Sequence, residues 1–584
     1  MKKYFPYIIF AVVTLAIMFP LYQGGFIFLL DMVFVPRLDF GDYLKNGIGS
    51  GFPIIVLVKL FSFALPLEII QKIILSLVLF LPGLFMFKLV KNFLPMKWAI
   101  LSGLFYMLNP YVYERFLAGH WHVLLGYAFF PLLVKLFLEF LEKLDNKSFL
   151  KLAILFSVYP ILSLHWAYIS FWFLVLLGGV WFVVMLLSQK EKPKSILDAL
   201  NLIFRSLSRP LGLLRDDKKK GTSHNDNKKL VKYFVYGAVL FFVVNSFWLV
   251  GFLSPSSGYY KFSLNDFRAF ATQGDPSFWV FFNVLSLYGF WGTDYFLTKD
   301  FFQYWWVLTF VILGFAVYGV YVLLRKVVTH PLPLSRGELL YFRSRTSEIA
   351  LILTLAIIFI PVVLLSVGYG SDITKPIINV LYAFLPGFKG LRETEKLVGL
   401  LAFSYAILVP IGGLAYAKKQ RYVFTLLVLV PFLSVWTIFW GFNGQLKSSD
   451  YPKSWYQANE ILKQDENNKL LFLPWHGYPK ISFAGEKRVS NPAPRFFQVE
   501  VIAGKNIDNV YLLECDQEIW DKKMFQLLQG FETLNENIKF LRLEGITHII
   551  LAKEMDYEKY GFLDESEWLE IVLEEDDLVL YEIR

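Results

Sequence analysis

Apolar residues in this chain fall into long runs, each near the 20 or so residues that a helix needs to cross the hydrocarbon layer of a bilayer. The runs lie near 4–22, 68–90, 98–113, 120–140, 149–164, 167–187, 232–252, 303–323, 348–367, 396–417 and 422–442, and predict about eleven crossings. Two further stretches, 52–66 and 278–291, are interrupted by Pro, Lys, Gly or Asn and read as interfacial or re-entrant segments; if both crossed, the count would be about thirteen. From Asp450 onward the pattern changes to short apolar runs alternating with charged amphipathic stretches. Strands are predicted at Lys469–Pro474, Thr547–Leu551 and Leu578–Ile583, and helices over 453–464, 517–529 and 533–544. The expected organisation is a polytopic membrane domain over 1–442 and a soluble α/β domain over 443–584, long enough for its own core.

Composition agrees with this division. Aromatic residues make up 18% of the chain, charged residues 18%, Phe alone occurs 60 times, and mean hydropathy is +0.50, which excludes an ordinary soluble protein. The single cysteine, Cys515, rules out an internal disulfide or a thiolate metal cluster. The first run is too long for a signal-peptide core and lacks a small-residue cleavage site, so a retained signal anchor is expected.

Charge sets the expected orientation. Lys2, Lys3, Lys91, Lys97, the loop 188–232 with 12 Lys and Arg against 5 Asp and Glu, the loop 324–347 with 5 against 1, and Lys418, Lys419 and Arg421 all fall on one side of an eleven-span chain. By the positive-inside rule that side is cytoplasmic, with the N-terminus, and the C-terminal domain is extracytoplasmic at the plasma membrane. Residues 443–584 hold 16 Lys and Arg against 26 Asp and Glu, net −10, which leaves +19 on 1–442. The basic residues are spread over separate loops without a nucleic-acid-binding motif, so no nucleic-acid partner is expected. The two long basic loops read as solvated inserts, and their His224 and His330 carry no expected chemistry.

Candidate chemistry lies in the loops on the other side. Asp31, Asp39 and Asp42 follow the first span in FIFLLDMVFVPRLDFGDYL. Asp39 and Asp42 also read as helix caps or solvated charges. Asp31 has apolar flanks on both sides, an environment in which a carboxylate has a raised pKa and can serve as general base. In NPYVYERFLAGHWHV, Glu114 and Arg115 are adjacent and should diverge to separate partners. The His120-x-His122 pair, with a first-loop acid, could hold a divalent metal, while interfacial histidines among aromatics are the commoner case. His165 and Trp166 belong to the same mouth. In LPGFKGLRETEKLVGLL, Arg392 and Lys396 are four apart, on one helical face near a helix N-terminus, suited to a lipid phosphate; the competing reading neutralises them with Glu393 and Glu395. The loop NDFRAFATQGDPSFWVFFNVLSLYGFW could cover a groove through Arg268, Asp275 and Trp291. In the tail, Trp475, His476 and Tyr478 of LPWHGYP either stack on a sugar or form an aromatic turn against the core. No nucleophile–base pair, glycine-rich phosphate loop or metal-ligand spacing is found in the tail.

An acidic first loop, many spans and an α/β tail together resemble the GT-C class of polyprenyl-phosphate-sugar-dependent glycosyltransferases. FYMLNPYVYERFLAGHWHVLLGYAFFPL and the Arg392–Lys396 run are similar to the membrane part of the large cell-wall arabinofuranosyltransferases and of YfhO-like membrane proteins. The resemblance covers roughly the first three quarters of the chain. It implies inverting transfer of a sugar from a lipid phosphate to a glycan or protein acceptor, with Asp31 removing the acceptor's proton; no cofactor beyond a possible divalent metal is implied. Unlike the paired acids frequent in that class's first loop, Asp31 and Asp39 stand eight apart. The alternative is a non-enzymatic transporter or assembly factor for lipid-linked envelope polymers. A transporter should bury ionisable residues along its spans.

Overall fold

The computed structural model describes residues 4–40, 48–189, 223–253, 263–276, 278–292, 295–329, 346–504 and 534–584. Asp42, His330, Cys515 and the helix expected over 517–529 lie outside them. Among the described residues, eight helices are long and apolar enough to cross a membrane: Phe5–Tyr22, Leu67–Val90, Trp121–Lys143, Leu164–Met185, Val231–Val250, Trp305–Arg325, Thr346–Gly370 and Thr394–Ala417. The apolar helices Val423–Ser434 and Trp436–Asn443 meet at a 55° bend, as a broken span or a re-entrant loop does, with Pro431 inside the first of them to weaken the backbone ladder there. The protein is thus a multipass helical membrane protein.

Two expected spans differ. The run 98–113 is divided between a 12-residue helix, Met96–Met107, and the short helix Pro110–Leu117, whose N-cap Asn109 accepts from the Val112 amide. Pro110 cannot donate to the preceding turn and the cap starts a new helix, so the run breaks. The run 149–164 is the 17-residue helix Asn146–Leu162. The stretch 52–66 forms an 11-residue helix, Phe52–Ser62, and 278–291 holds only the six-residue helix Val280–Leu285. The helix Thr394–Ala417 is the most enclosed of all the spans.

Among the described residues nine strands follow in chain order: β1 Phe26–Ile27, β2 Ser448–Ser449, β3 Lys469–Leu473, β4 Lys480–Ile481, β5 Lys487–Arg488, β6 Glu500–Ile502, β7 His548–Ala552, β8 Leu569–Glu574 and β9 Leu578–Ile583. The tail carries a mixed five-stranded sheet ordered β6-β3-β7-β9-β8, with β3 parallel to β6 and β7, and β9 antiparallel to β7 and β8. Strand alternation sends Leu470 and Phe472 to one face and Leu471 and Leu473 to the other. The second face packs on the helix Leu534–Leu543 through Ile538 and Leu541.

The first face belongs to a core that crosses the expected domain boundary. It takes Trp455, Ala458 and Leu462 from the helix Lys453–Leu462, and also Phe26, Phe28, Val33 and Val35 from the loop after the first span. Tyr451 sits edge-on to Phe26 and Phe28, contacts worth about 0.5–1.5 kcal/mol each beyond area burial. Hydrogen bonds complete the seam. β1 pairs antiparallel with β2, the Gln71 side chain closes both the amide and the carbonyl of Ile27, and the carbonyls of Leu30, Val33 and Phe34 accept from Ser490 N, Arg495 and Tyr451. The acidic loop is thereby fixed between the helical part and the sheet.

Candidate active site

Asp31 is positioned first through its backbone. Its amide donates to the Ala118 carbonyl at 3.1 Å, in the turn between the helices Pro110–Leu117 and Trp121–Lys143. Gly119 occupies that turn at φ +70°, and a Cβ there would stand 2.6 Å from the Met32 amide nitrogen, so only glycine permits so close an approach. Leu30 and Met32 are buried, whereas the Asp31 side chain, in the bend between them, is 36% exposed. The apolar enclosure expected from its flanks is therefore not what surrounds the carboxylate. Oδ1 accepts from the Tyr478 hydroxyl at 2.9 Å, and Oδ2 lies 2.8 Å from His120 Nε2.

His120 joins this acid to a buried charge network. Arg115 Nη1 is 2.8 Å from His120 Nδ1; a guanidinium only donates, so Nδ1 accepts and the ring proton stays on Nε2, facing Asp31. Arg115, almost wholly buried, also donates from Nη1 to Glu393 at 2.9 Å and from Nη2 to Glu395 at 2.7 Å, with the Tyr111 and Phe290 rings beside its guanidinium. Glu393 accepts from Lys396 at 3.0 Å, and Lys396 donates to His165 Nε2 at 3.2 Å. Two acids and two bases balance, the condition for burying charge at tolerable cost. Burial opposes ionisation of Glu393, but the Lys396 and Arg115 charges outweigh it and hold the carboxyl below its usual range. Glu395 Oε2 is buried without a partner among the described residues.

The other expected residues separate. Glu114 diverges from Arg115 and accepts from the amides of Gly289 and Phe290 at 3.4 and 3.2 Å; burial, against Lys299 and Arg115, pushes its carboxyl up to about 7. Arg392 and Lys396 do not share a helical face. The chain there runs through two 3-10 turns, Phe388–Leu391 and Thr394–Leu397, which have three residues per turn rather than 3.6. Arg392 lies 3.6 Å from the buried Asp266, 4.5 Å from the Phe270 ring centroid and is partly exposed, while Lys396 is enclosed with Glu393 and His165. His122 turns from His120 to the Leu162 carbonyl at 3.2 Å. Asp39 is exposed. Lys299 reaches Asp275 at 3.4 Å, and Trp291 packs on Phe270 and Phe290. Of the three aromatic-turn residues in the tail, Trp475 packs against the second face of the sheet, His476 pairs with Asp556 at 2.9 Å, and Tyr478 reaches the site.

The sequence reading missed Asp266 and Arg495 and did not connect Glu393 and Glu395 with Arg115. The signal available was a Glu-x-Glu flanked by Arg and Lys just before an apolar run, a pattern that must find internal partners if it is buried. Beside Asp31 opens a cleft of about 310 Å³ lined mainly by apolar side chains, among them Val33, Phe52, Ile55 and Trp121, with Asp31, His122 and Arg495 as its polar members. Among the described residues no three His, Cys, Asp or Glu are arranged to hold a metal ion. The expected His-x-His set does not fit one, because Arg115 occupies His120 Nδ1 and His122 is turned to a carbonyl.

A polytopic helical bundle joined to an α/β tail is a fold that known structures share. No family model matches the sequence, and no curated protein matches it significantly. The cryo-EM structure of the arabinofuranosyltransferase AftD from Mycobacteria is similar with a TM-score of 0.56 at 11% identity, over 100% of this chain and 40% of AftD. Two classes of an AftD mutant give 0.53 at 11% and 12% identity, over 100% of this chain and 41% of theirs. This chain thus spans about two fifths of the length of those proteins and has the GT-C fold.

Proposed function

We propose that the protein is an inverting glycosyltransferase that takes a sugar from a polyprenyl-phosphate donor and passes it to a glycan or protein acceptor on the extracytoplasmic side. The observation that carries this reading is Asp31: a solvent-reachable carboxylate, fixed on both oxygens, at the edge of an apolar cleft in a GT-C fold. Asp31 takes the proton of an acceptor hydroxyl, the freed oxygen attacks the anomeric carbon from the face opposite the phosphate, and the bond from that carbon to the phosphate oxygen breaks with its electron pair. Polyprenyl phosphate leaves with the negative charge. Arg392, partly exposed and close enough to Tyr478 to act on its hydroxyl, meets that charge; Lys396 is committed to Glu393 and His165 and takes no part in binding. The apolar cleft receives the first isoprene units of the donor.

The transport alternative draws support from one observation, the buried ionisable group at Arg115, Glu393, Glu395, Lys396 and His165. These residues gather at one end of the span Thr394–Ala417 rather than along it, and this favours the enzyme. The test is transfer from short-chain polyprenyl phosphosugars, arabinofuranosyl first and then hexosyl, to an envelope glycan extract by protein in native membranes. Asp31→Asn should lower turnover by roughly 10²–10⁴ with normal insertion, Asp39→Asn should change it little, and Arg392→Ala should raise the donor requirement about ten- to a hundredfold. Full turnover by Asp31→Asn with loss in Asp39→Asn would move the base to Asp39; full turnover in both would leave the transport reading.

A further inference from the structure

From the C-terminal domain Tyr478 reaches the proposed base, a contact that neither sequence reading of the LPWHGYP turn, sugar stacking or packing against the core, anticipates. Its ring packs beside Leu30, Ala118 and Phe290, and its hydroxyl donates to Asp31 Oδ1 at 2.9 Å. Burial, then the Asp31 charge and hydrogen bond, push that hydroxyl well above its ordinary range, with Arg392 opposing. It therefore stays protonated, a donor at neutral pH. The segment that bears it is tied down on all sides. Asn491 donates from its amide to the Gly477 carbonyl and from its side chain to the His476 carbonyl, Val489 N donates to Pro479, and Ser490 N donates to the Leu30 carbonyl, next to Asp31 itself. The His476 ring is held in turn by Asp556.

We propose that Tyr478 is a positioning residue for the reaction: the C-terminal domain completes the catalytic site by orienting the carboxylate of Asp31 through the Tyr478 hydroxyl. Two fixed donors, His120 from the helical part and Tyr478 from the sheet domain, restrict the acid to one rotamer beside the cleft that Asp31 lines. A carboxylate held on one side only would rotate and spend less time in line with an acceptor hydroxyl. The C-terminal domain on this view is part of the catalytic unit, through a contact that no carbohydrate-binding role would require.

This proposal rests on Asp31 being the base, and the experiment separates the two. The full-length protein is assayed in membranes with the polyprenyl phosphosugars above, as wild type, Tyr478→Phe, Asp31→Asn and the double variant. Tyr478→Phe keeps the ring and its packing, so its thermal midpoint should stay within about 2 °C, while turnover falls roughly ten- to a hundredfold and donor KM changes less than about threefold. In the Asp31→Asn background the same substitution should cost less than about twofold, since the hydroxyl acts only through that carboxylate. Normal turnover by Tyr478→Phe beside an inactive Asp31→Asn overturns the positioning role and leaves the base assignment standing. A full additional loss in the double variant also overturns it, as does a Tyr478→Phe defect that appears in KM alone. An active Asp31→Asn, or a wild type that transfers from none of the donors, overturns both readings.

Discussion

Glu114 carries the most direct pH signature at the residue scale. Burial lifts its carboxyl from the usual value near 4.5 to about 7, so between those two values the folded protein holds a proton that the unfolded chain releases. Stability from this group is fully present below about 4.5 and is lost as pH rises through about 7. Glu114→Gln keeps an acceptor for the Gly289 and Phe290 amides but does not ionise. In detergent, the wild-type thermal midpoint should fall more between pH 5 and pH 8 than that of Glu114→Gln; equal falls would mean that water reaches the carboxyl. Arg115 shows a different dependence on its surroundings. It is the common partner of His120, Glu393 and Glu395, and its two nitrogens reach three groups at once, which the single ammonium of a lysine could not do in the same geometry.

At the scale of elements, the turn Ala118–His120 matters more than the helices it joins. Gly119 lets the first loop approach to within contact of the backbone, and the adjacent Ala118 carbonyl and His120 ring hold Asp31 from two directions. Gly119→Ala meets both a left-handed φ and a Cβ 2.6 Å from Met32 N, so either the turn or the loop must move. The expected result is loss of most transfer activity together with a destabilisation of about 1–3 kcal/mol, read from turnover and from the thermal midpoint. Unchanged turnover would show that the loop finds Asp31's position without this turn. The tail sheet illustrates the same interdependence: one face of β3 packs on its own helix, and the other is completed by aromatics from the loop after the first span.

For the whole molecule, the net charge of +19 on 1–442 and −10 on the tail predicts the C-terminal domain outside the cell and the basic loops inside. With Cys515 replaced by Ser, a cysteine at the well-exposed Lys559 should react with an impermeant maleimide in intact cells, and one at Arg209 should react only after permeabilisation. The reverse pattern would invert the orientation and move the site to the cytoplasmic side. The core shared by the first loop and the sheet also predicts that the two parts unfold together in the membrane-embedded protein.

The sequence by itself determined the class of this protein. A membrane span announces itself locally, because every backbone group in lipid must bond within its own helix and the side chains that face lipid are apolar; the positions of the long spans were therefore legible, as were β3, β7 and β9, from their dense apolar residues. Lengths were less legible where Pro110 and its Asn109 cap divide a single apolar run. Asp31, Arg115, His120 and Arg392 stood out because charge beside lipid needs a reason. What only the tertiary structure decided was the partnership among them. Arg115 finds Glu393 and Glu395 across more than 270 positions of chain, and Tyr478 finds Asp31 across 447. Such contacts have no periodicity and no local composition: they follow from how the bundle and the sheet close on the first loop, a property of packing that no window of sequence contains.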